Sequence, residues 1–245
     1  MVSSRTKAKQ KKFIFGQSFL FVLVAFLAGY ILLQSPIFII DRILVTGNKE
    51  LSETEILQSS GLVTGLNIFK ADLHNASAEV NLLPMVKDVS MHRNYPSQIM
   101  IEVVEREPLA LIMVQDYFVE LDEQGYYLRQ GNISTKGLPI ITGVQLEEPA
   151  LGQKITEDKL NIALQVIQEI NLELRENLSE VHINQVNLIT LYTLDGIECR
   201  LGSQENISTK GNTLLQVIKE LKEGNKQIEY IDFSNANLPV VKYKD

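Results

Sequence analysis

The sequence predicts an α+β protein made of an N-terminal transmembrane helix, a small β-α-α-β-β domain and a larger mixed β-domain with two helices. Three observations predict this class. One uncharged apolar run of 21 residues lies near the N-terminus. Helical periodicities and short β-branched runs then alternate, and Gly, Pro, Asn and Asp separate them. The chain of 245 residues is long enough for two small cores beyond the apolar run.

Composition argues against several functional classes. The net charge of −7 provides no field that attracts nucleic acid. A single cysteine excludes an internal disulfide or a cysteine-based zinc site, and the three histidines show no metal-ligand spacing. No P-loop, G-x-S-x-G or H-E-x-x-H motif is present. We therefore expect no cofactor, no metal, no nucleic acid, no small-molecule substrate and no catalysis.

The N-terminal apolar run is interpreted as a membrane anchor. Residues 13–33 carry no charge and would span about 32 Å as a helix, close to the thickness of a bilayer core. Residues 1–12 contain five basic side chains and no acid. The positive-inside rule therefore predicts a cytoplasmic tail over 1–12, one transmembrane helix and an extracytoplasmic remainder. A cleaved signal peptide is the alternative, although such signals have a shorter apolar core and a small-residue exit.

Residues 37–106 are predicted to form the small domain. Ser52 and Glu55 fit a capping box, and Gly61 is a natural helix end. A second amphipathic helix begins near Asp72. The predicted strands cover residues 37–45, 86–93 and 99–104.

Residues 107–245 are predicted to form the larger domain. Two amphipathic helices are expected, over 157–176 and 208–223, and Asp195-Gly196 is a strong hairpin signal. The predicted strands cover residues 117–121, 126–129, 138–142, 180–183, 188–194, 197–201, 229–234 and 239–243.

A few side chains near the domain junction and in the strands are candidates for catalysis or for ion pairing. The acidic residues Glu102, Glu105 and Glu107 are expected to be solvated rather than catalytic. Arg106 is expected to pair with Glu105 or Glu120 and so fix the interdomain angle. Cys199 is expected to be a small buried filler rather than a nucleophile.

A family resemblance rests on motifs spread over nearly the whole chain. The matching motifs are Ile43, Val45, Gly47 and Asn48; Gly65-Leu66-Asn67-Ile68-Phe69; Leu83-Pro84-Met85-Val86; Pro96 with residues 99–103 and Glu105-Arg106-Glu107-Pro108-Leu109-Ala110; Gly125-Tyr126-Tyr127-Leu128; residues 138–143; and Tyr230-Ile231-Asp232-Phe233. Residues 41–110 resemble a POTRA domain of the FtsQ/DivIB family of bacterial division proteins. The resemblance implies an interdomain junction at Glu105, Arg106 and Pro108.

The resemblance also implies a function and a place in the cell. The family is a non-catalytic scaffold that holds small coiled-coil partners of the FtsB/DivIC and FtsL types and links them to septal wall synthesis. The chain would then lie in the cell membrane at the division septum. A membrane-tethered wall-processing enzyme and a POTRA protein of polypeptide secretion are the alternative hypotheses.

The C-terminal strand is the expected partner-binding edge. Pro239 cannot donate to a ladder, so its strand belongs at a sheet edge or bulge, where another chain can add. An ordinary terminal strand is the alternative, and Tyr230 and Tyr243 could serve as interface anchors or as core. The resemblance places the partner-binding strand at Leu238–Tyr243, and the candidate partner-binding residues are Tyr230, Asp232, Asn235, Leu238, Pro239, Val240, Val241, Lys242 and Tyr243.

Overall fold

The computed structural model describes residues 3–131, 137–223, 228–234 and 239–244. It divides into two compact units. The first comprises Met1–Asn81 and Asp88–Val104, and the second Leu82–Lys87 and Glu105–Asp245.

The chain begins with the long helix α1, Ser3–Leu33. Every side chain from residue 17 to residue 33 is exposed. Within the described residues, no helix meets the length and hydropathy needed to cross a bilayer. The anchor therefore stays a prediction.

The first unit contains a three-stranded sheet and two short helices, in the predicted order β-α-α-β-β, which is confirmed. Strand order is β1-β3-β2, and β1 runs parallel to β3. The predicted first strand begins late because Pro36–Phe38 form a 3-10 turn before it. The elements are β1 Arg42–Thr46, α2 Glu53–Ser60, α3 Leu73–Asn81, β2 Val86–Asn94 and β3 Gln98–Glu105.

The predicted ends of α2 are both confirmed. The Ser52 side chain accepts a hydrogen bond from the Glu55 backbone N–H, and the Glu55 carboxylate accepts one from the Ser52 N–H at 2.9 Å. The Ser52 hydroxyl also donates to Glu55 Oε2 at 2.7 Å, and this bond, together with the one from the Ser52 backbone N–H, lowers the pKa of Glu55. The C-cap is Gly61, with φ of 63° in the left-handed region that glycine adopts without steric cost.

Replacing Gly47 with alanine should destabilise the first unit. Its φ is +85°, and an added Cβ would overlap the backbone oxygen of Val103 on β3. Positive-φ strain and the forced backbone shift together should lower the free energy of unfolding by about 2–4 kcal/mol. Gly65→Ala is the matched control, because Gly65 has φ of +86° but open space around it. If thermal unfolding showed the same loss of stability in both variants, the overlap with Val103 would not be the cause.

The second unit is built on a nine-stranded sheet of order β12-β11-β10-β9-β8-β7-β4-β5-β6. Helices α4 and α6 pack against it and against each other. The strands are β4 Pro108–Val114, β5 Tyr117–Asp122, β6 Tyr127–Gly131, β7 Ile140–Thr142, β8 Leu178–Ile183, β9 Ile189–Thr193, β10 Glu198–Gly202, β11 Ile228–Asp232 and β12 Val240–Tyr243. The helices are α4 Asp158–Glu169, α5 Leu172–Glu176 and α6 Ile207–Glu223.

Two features of this unit differ from the prediction. Strand β4 was not predicted, and the expected helix over 157–176 is divided into α4 and α5, so the unit has three helices among its described residues instead of two. The division occurs because Ile170 is extended, with ψ of 151°, and the Asn171 side chain caps α5 by accepting from the Leu174 N–H at 2.8 Å. Apolar periodicity continues across the break, which is why it indicated one helix.

The core of the second unit lies between the helices and one face of the sheet. Leu160 and Ile167 of α4 and Leu191 of β9 are fully buried there. Gly211 allows α6 to approach closely, because a Cβ at this position would lie 3.0 Å from Ile170 Cγ2. The core therefore accounts for a glycine that helix propensity alone disfavours.

Candidate functional site: the C-terminal sheet edge

Strand β12 is the last strand of the nine-stranded sheet. It pairs antiparallel with β11, and the register places Lys242 opposite Tyr230, Val241 opposite Ile231 and Val240 opposite Asp232. On its other side, β11 runs parallel to β10. Among the described residues, no further strand lies beyond β12. The C-terminal strand is thus an edge strand, as the proline before it predicts.

Side chains alternate across this edge between the core and an outer face. Ile231 and Phe233 are fully buried, and Val241 packs against the same core. Tyr230 and Asp232 are half-buried on the outer face.

The edge residues themselves are more exposed. Val240 is 57% exposed and Tyr243 38%. Pro239, immediately before β12, and Lys242 are also exposed. Of the candidate partner-binding residues, Asn235 and Leu238 lie outside the described part of the chain.

Charges on the outer face near the edge are paired within the chain. Lys242 Nζ lies 2.9 Å from Glu229 Oε2, and Arg200 Nε lies 2.6 Å from Glu198 Oε1. These bonds raise the pKa of Lys242 and the pKa of Arg200. The Arg200 guanidinium also lies over the Tyr230 ring, 4.2 Å from its centroid. The two basic side chains beside the Tyr230 ring are therefore each neutralised by an acid of the same chain.

Two outer-face residues were missed by the sequence analysis. Glu198 aligns directly with Tyr230, and Arg200 with Asp232, on the neighbouring strand β10. Both alternate with the buried Cys199 and Leu201. That period-two pattern places them on the outer face, but only the strand order brings them beside β11.

Arg106 organises the start of the second unit. Its Nη1 donates to Asp122 Oδ2 at 2.6 Å, and its Nε donates to the Val86 oxygen at 3.2 Å. The guanidinium lies over Tyr126, 3.6 Å from the ring centroid. Its backbone N–H donates to the Met85 oxygen at 2.7 Å. Arg106 thus holds the segment Leu82–Lys87 within this unit.

This geometry gives Arg106 an acidic partner that the sequence did not predict. Asp122 forms an ion pair with Arg106 at 2.6 Å, and Glu120 pairs with Arg129 at 2.8 Å. The β4–β5 register places Asp122 opposite Pro108, two residues after Arg106, and so brings its carboxylate close to the Arg106 side chain. Pro108 therefore lies beside the pair.

The described residues offer no group of histidines, cysteines and carboxylates that could hold a metal ion. Cys199 is fully buried. Desolvation raises the pKa of its thiol to about 12, so the reactive thiolate is scarce at neutral pH. This matches the interpretation of Cys199 as a core residue.

Comparison with known proteins identifies both units. The model of the family "Cell division protein FtsQ/DivIB, C-terminal" matches residues 110–234, and the model "POTRA domain, FtsQ-type" matches residues 38–106. A cell division protein FtsQ of Syntrophotalea carbinolica is 29% identical over 226 residues, which cover 90% of this chain and 79% of the relative. A cell division protein DivIB of Clostridium botulinum strain Hall is 28% identical over 239 residues, covering 95% and 92%.

A solved structure of the major extracytoplasmic domain of DivIB from Geobacillus stearothermophilus also matches, with TM-score 0.35 and 16% identity, covering 50% of this chain and 98% of that one. The C-terminal model alone accounts for half of the chain, and the FtsQ-type POTRA model precedes it directly. The chain belongs to the FtsQ/DivIB family of cell division proteins and, like that family, is not an enzyme.

Proposed function

We propose that this chain is a single-pass membrane scaffold of the division machinery. It binds small coiled-coil division proteins of the FtsB/DivIC and FtsL types by strand addition at β12, and links them to septal wall synthesis. The observation that carries the proposal is the position of β12 at the end of the nine-stranded sheet.

Strand addition is favoured by the backbone of an edge strand. Such a strand turns a row of N–H and C=O groups away from its own sheet, and an extended segment of another chain can pair with them. Val240–Tyr243 is short, so the partner would gain only a few backbone hydrogen bonds. Side chains must therefore supply part of the affinity.

The side chains that could supply this affinity lie on β12 and on the neighbouring β11. Val240 and Tyr243 offer exposed apolar and aromatic surface, and Tyr230 lies beside them on β11. Aromatic anchors of this kind carry much of the energy of protein interfaces. Because Lys242 and Arg200 are already paired with acids, the partner need not neutralise an isolated charge.

Membrane attachment is the second part of the proposal. Residues 13–33 would form the anchor, with the basic residues 1–12 in the cytoplasm and both units outside. Its support is the uncharged sequence and the exposure of every side chain from residue 17 to residue 33. The expected location is the cell membrane at the division septum.

The junction between the two domains is proposed at Glu105, Arg106 and Pro108. Its support is the set of contacts that Arg106 makes to residues 85 and 86 and to Asp122. These contacts fix the local backbone where the second unit begins.

Site-specific photo-crosslinking in dividing cells tests the strand-addition proposal. A photo-reactive residue placed at Lys242 should crosslink to a small coiled-coil division protein, since this side chain would flank the added strand. The control carries the photo-reactive residue at position 194 instead. Leu194 is 66% exposed on the β9–β10 turn, and this variant should not crosslink to the division protein. Crosslinking from Leu194 but not from Lys242 would contradict the proposal, as would a fluorescent fusion that never appears at midcell.

A further inference from the structure

We propose that an aromatic patch on the first unit rests on the outer leaflet of the membrane. The aromatic patch consists of Phe38, Phe69 and Tyr95 with the flanking Ile37 and Ile39. This inference rests on the membrane anchor proposed above, and it adds a second lipid contact that fixes how the unit stands on the bilayer.

Three separate segments bring the rings together. Phe38 ends the 3-10 turn after α1, Phe69 lies in the loop before α3, and Tyr95 lies in the turn between β2 and β3. The Phe38 and Phe69 centroids are 5.1 Å apart, and the Phe69 and Tyr95 rings stack at 5.6 Å.

Two rings of this cluster, Phe69 and Tyr95, are exposed to solvent, and Phe38 is half-buried. Tyr95 is 57% exposed and Phe69 41%, and the neighbouring Ile37 and Ile39 are 59% and 39% exposed. A contiguous exposed apolar surface of this kind marks an interaction site rather than a core.

The aromatic patch is tied directly to the end of α1. Asn67 Nδ2 donates to the Leu33 oxygen at 2.8 Å, in the last turn of the helix. The Ile68 N–H donates to the Phe38 oxygen at 2.8 Å, and Ile39 forms a bridge with Asn67. These bonds hold the patch beside the point at which the proposed anchor would leave the membrane.

The loop that carries Phe69 is braced from the sheet. Arg93 of β2 donates to the Ile68 oxygen at 2.9 Å and to the Ala71 oxygen at 2.6 Å. These bonds fix the backbone of the loop that carries Phe69, and the aromatic patch is therefore preformed.

A lipid surface is the occupant that fits these observations. Aromatic side chains are enriched at membrane–water interfaces, where apolar bodies enter the acyl boundary and a hydroxyl such as that of Tyr95 stays at headgroup level. Interfacial amphipathic helices bury their apolar face about 5–10 Å into the boundary of headgroups and acyl chains, and we expect the inserted rings to reach that boundary. No protein partner needs to reach a surface that the anchor already brings to the bilayer.

Tryptophan fluorescence tests this contact because the chain contains no tryptophan. Full-length Phe69→Trp and Tyr95→Trp variants would be reconstituted into phosphatidylcholine vesicles that carry bromine near the headgroup end of the acyl chains. Val104→Trp is the control. Val104 is 53% exposed and lies six residues along β3 from Gln98, about 20 Å from the turn that holds Tyr95.

We expect blue-shifted emission and loss of intensity in brominated vesicles for both patch variants, and neither effect for Val104→Trp. Flotation of the wild-type chain with the same vesicles reports the anchor separately. A chain that floats while both patch tryptophans emit as in water would overturn this inference and leave the anchor intact. A chain that does not float would overturn the anchor itself, and this inference with it.

Discussion

Truncation of the chain after Asn235 is expected to abolish capture of the small coiled-coil division proteins. The truncation removes β12, so the backbone of that strand and the exposed Val240 and Tyr243 are lost together. Capture would be measured by co-purification of the detergent-solubilised chain with FtsB/DivIC-type and FtsL-type proteins. Unchanged capture by the truncated chain would show that β12 is not the binding strand.

Truncation also uncovers β11 and could disturb the fold of the second unit. A point substitution in β12 blocks the edge while the strand stays in place. Val240→Lys places a charge on an exposed edge position, a device by which proteins block strand addition. It should weaken capture strongly without a change in thermal unfolding. Leu194→Lys is the matched control, because Leu194 is an aliphatic residue away from the edge and is 66% exposed against 57% for Val240; this variant should capture normally. Equal weakening in both variants would point to a nonspecific effect of charge.

Arg106→Ala is expected to be the most destabilising single substitution in the second unit among those considered. Its Asp122 partner is only 2% exposed and would remain as a buried charge without its cation. Removal of one partner of a buried ion pair costs about 3–5 kcal/mol. Denaturant unfolding of the full chain in detergent would measure this loss.

Lys87→Ala is the matched control for Arg106→Ala. Lys87 also pairs with an acid, Glu123, at 2.9 Å, but both side chains are about half exposed. An exposed pair contributes about 0–1 kcal/mol because water screens it, so this variant should unfold nearly as the parent does. Similar losses in the two variants would show that burial of Asp122 does not set the energy of its pair.

Local signals in the sequence predicted many elements correctly. The capping box at Ser52 and Glu55, the helix end at Gly61 and the hairpin at Asp195-Gly196 depend on side chains within a few residues of one another. Strand β4 was not predicted, because Pro108 was interpreted as part of a junction. One helix was predicted over α4 and α5, because apolar spacing persists through the extended Ile170.

The candidate site shows the same division between local and long-range information. Pro239 by itself predicted a sheet edge or a bulge, since it lacks a backbone N–H, and the structure shows an edge strand. The neighbours of that strand were not predictable, because Arg200 and Glu198 reach the edge only through the parallel pairing of β10 with β11 across α6. The partner of Arg106 likewise depends on the β4–β5 register.

The sequence by itself thus determined the family resemblance, the β-α-α-β-β order of the first unit and the edge character of the last strand, because periodicity, caps and proline act over a few residues. The tertiary structure alone decided the nine-strand order, the Arg106–Asp122 pair and the convergence of Phe38, Phe69 and Tyr95. These contacts join residues far apart in the chain, and only the packing of the core selects which of them meet.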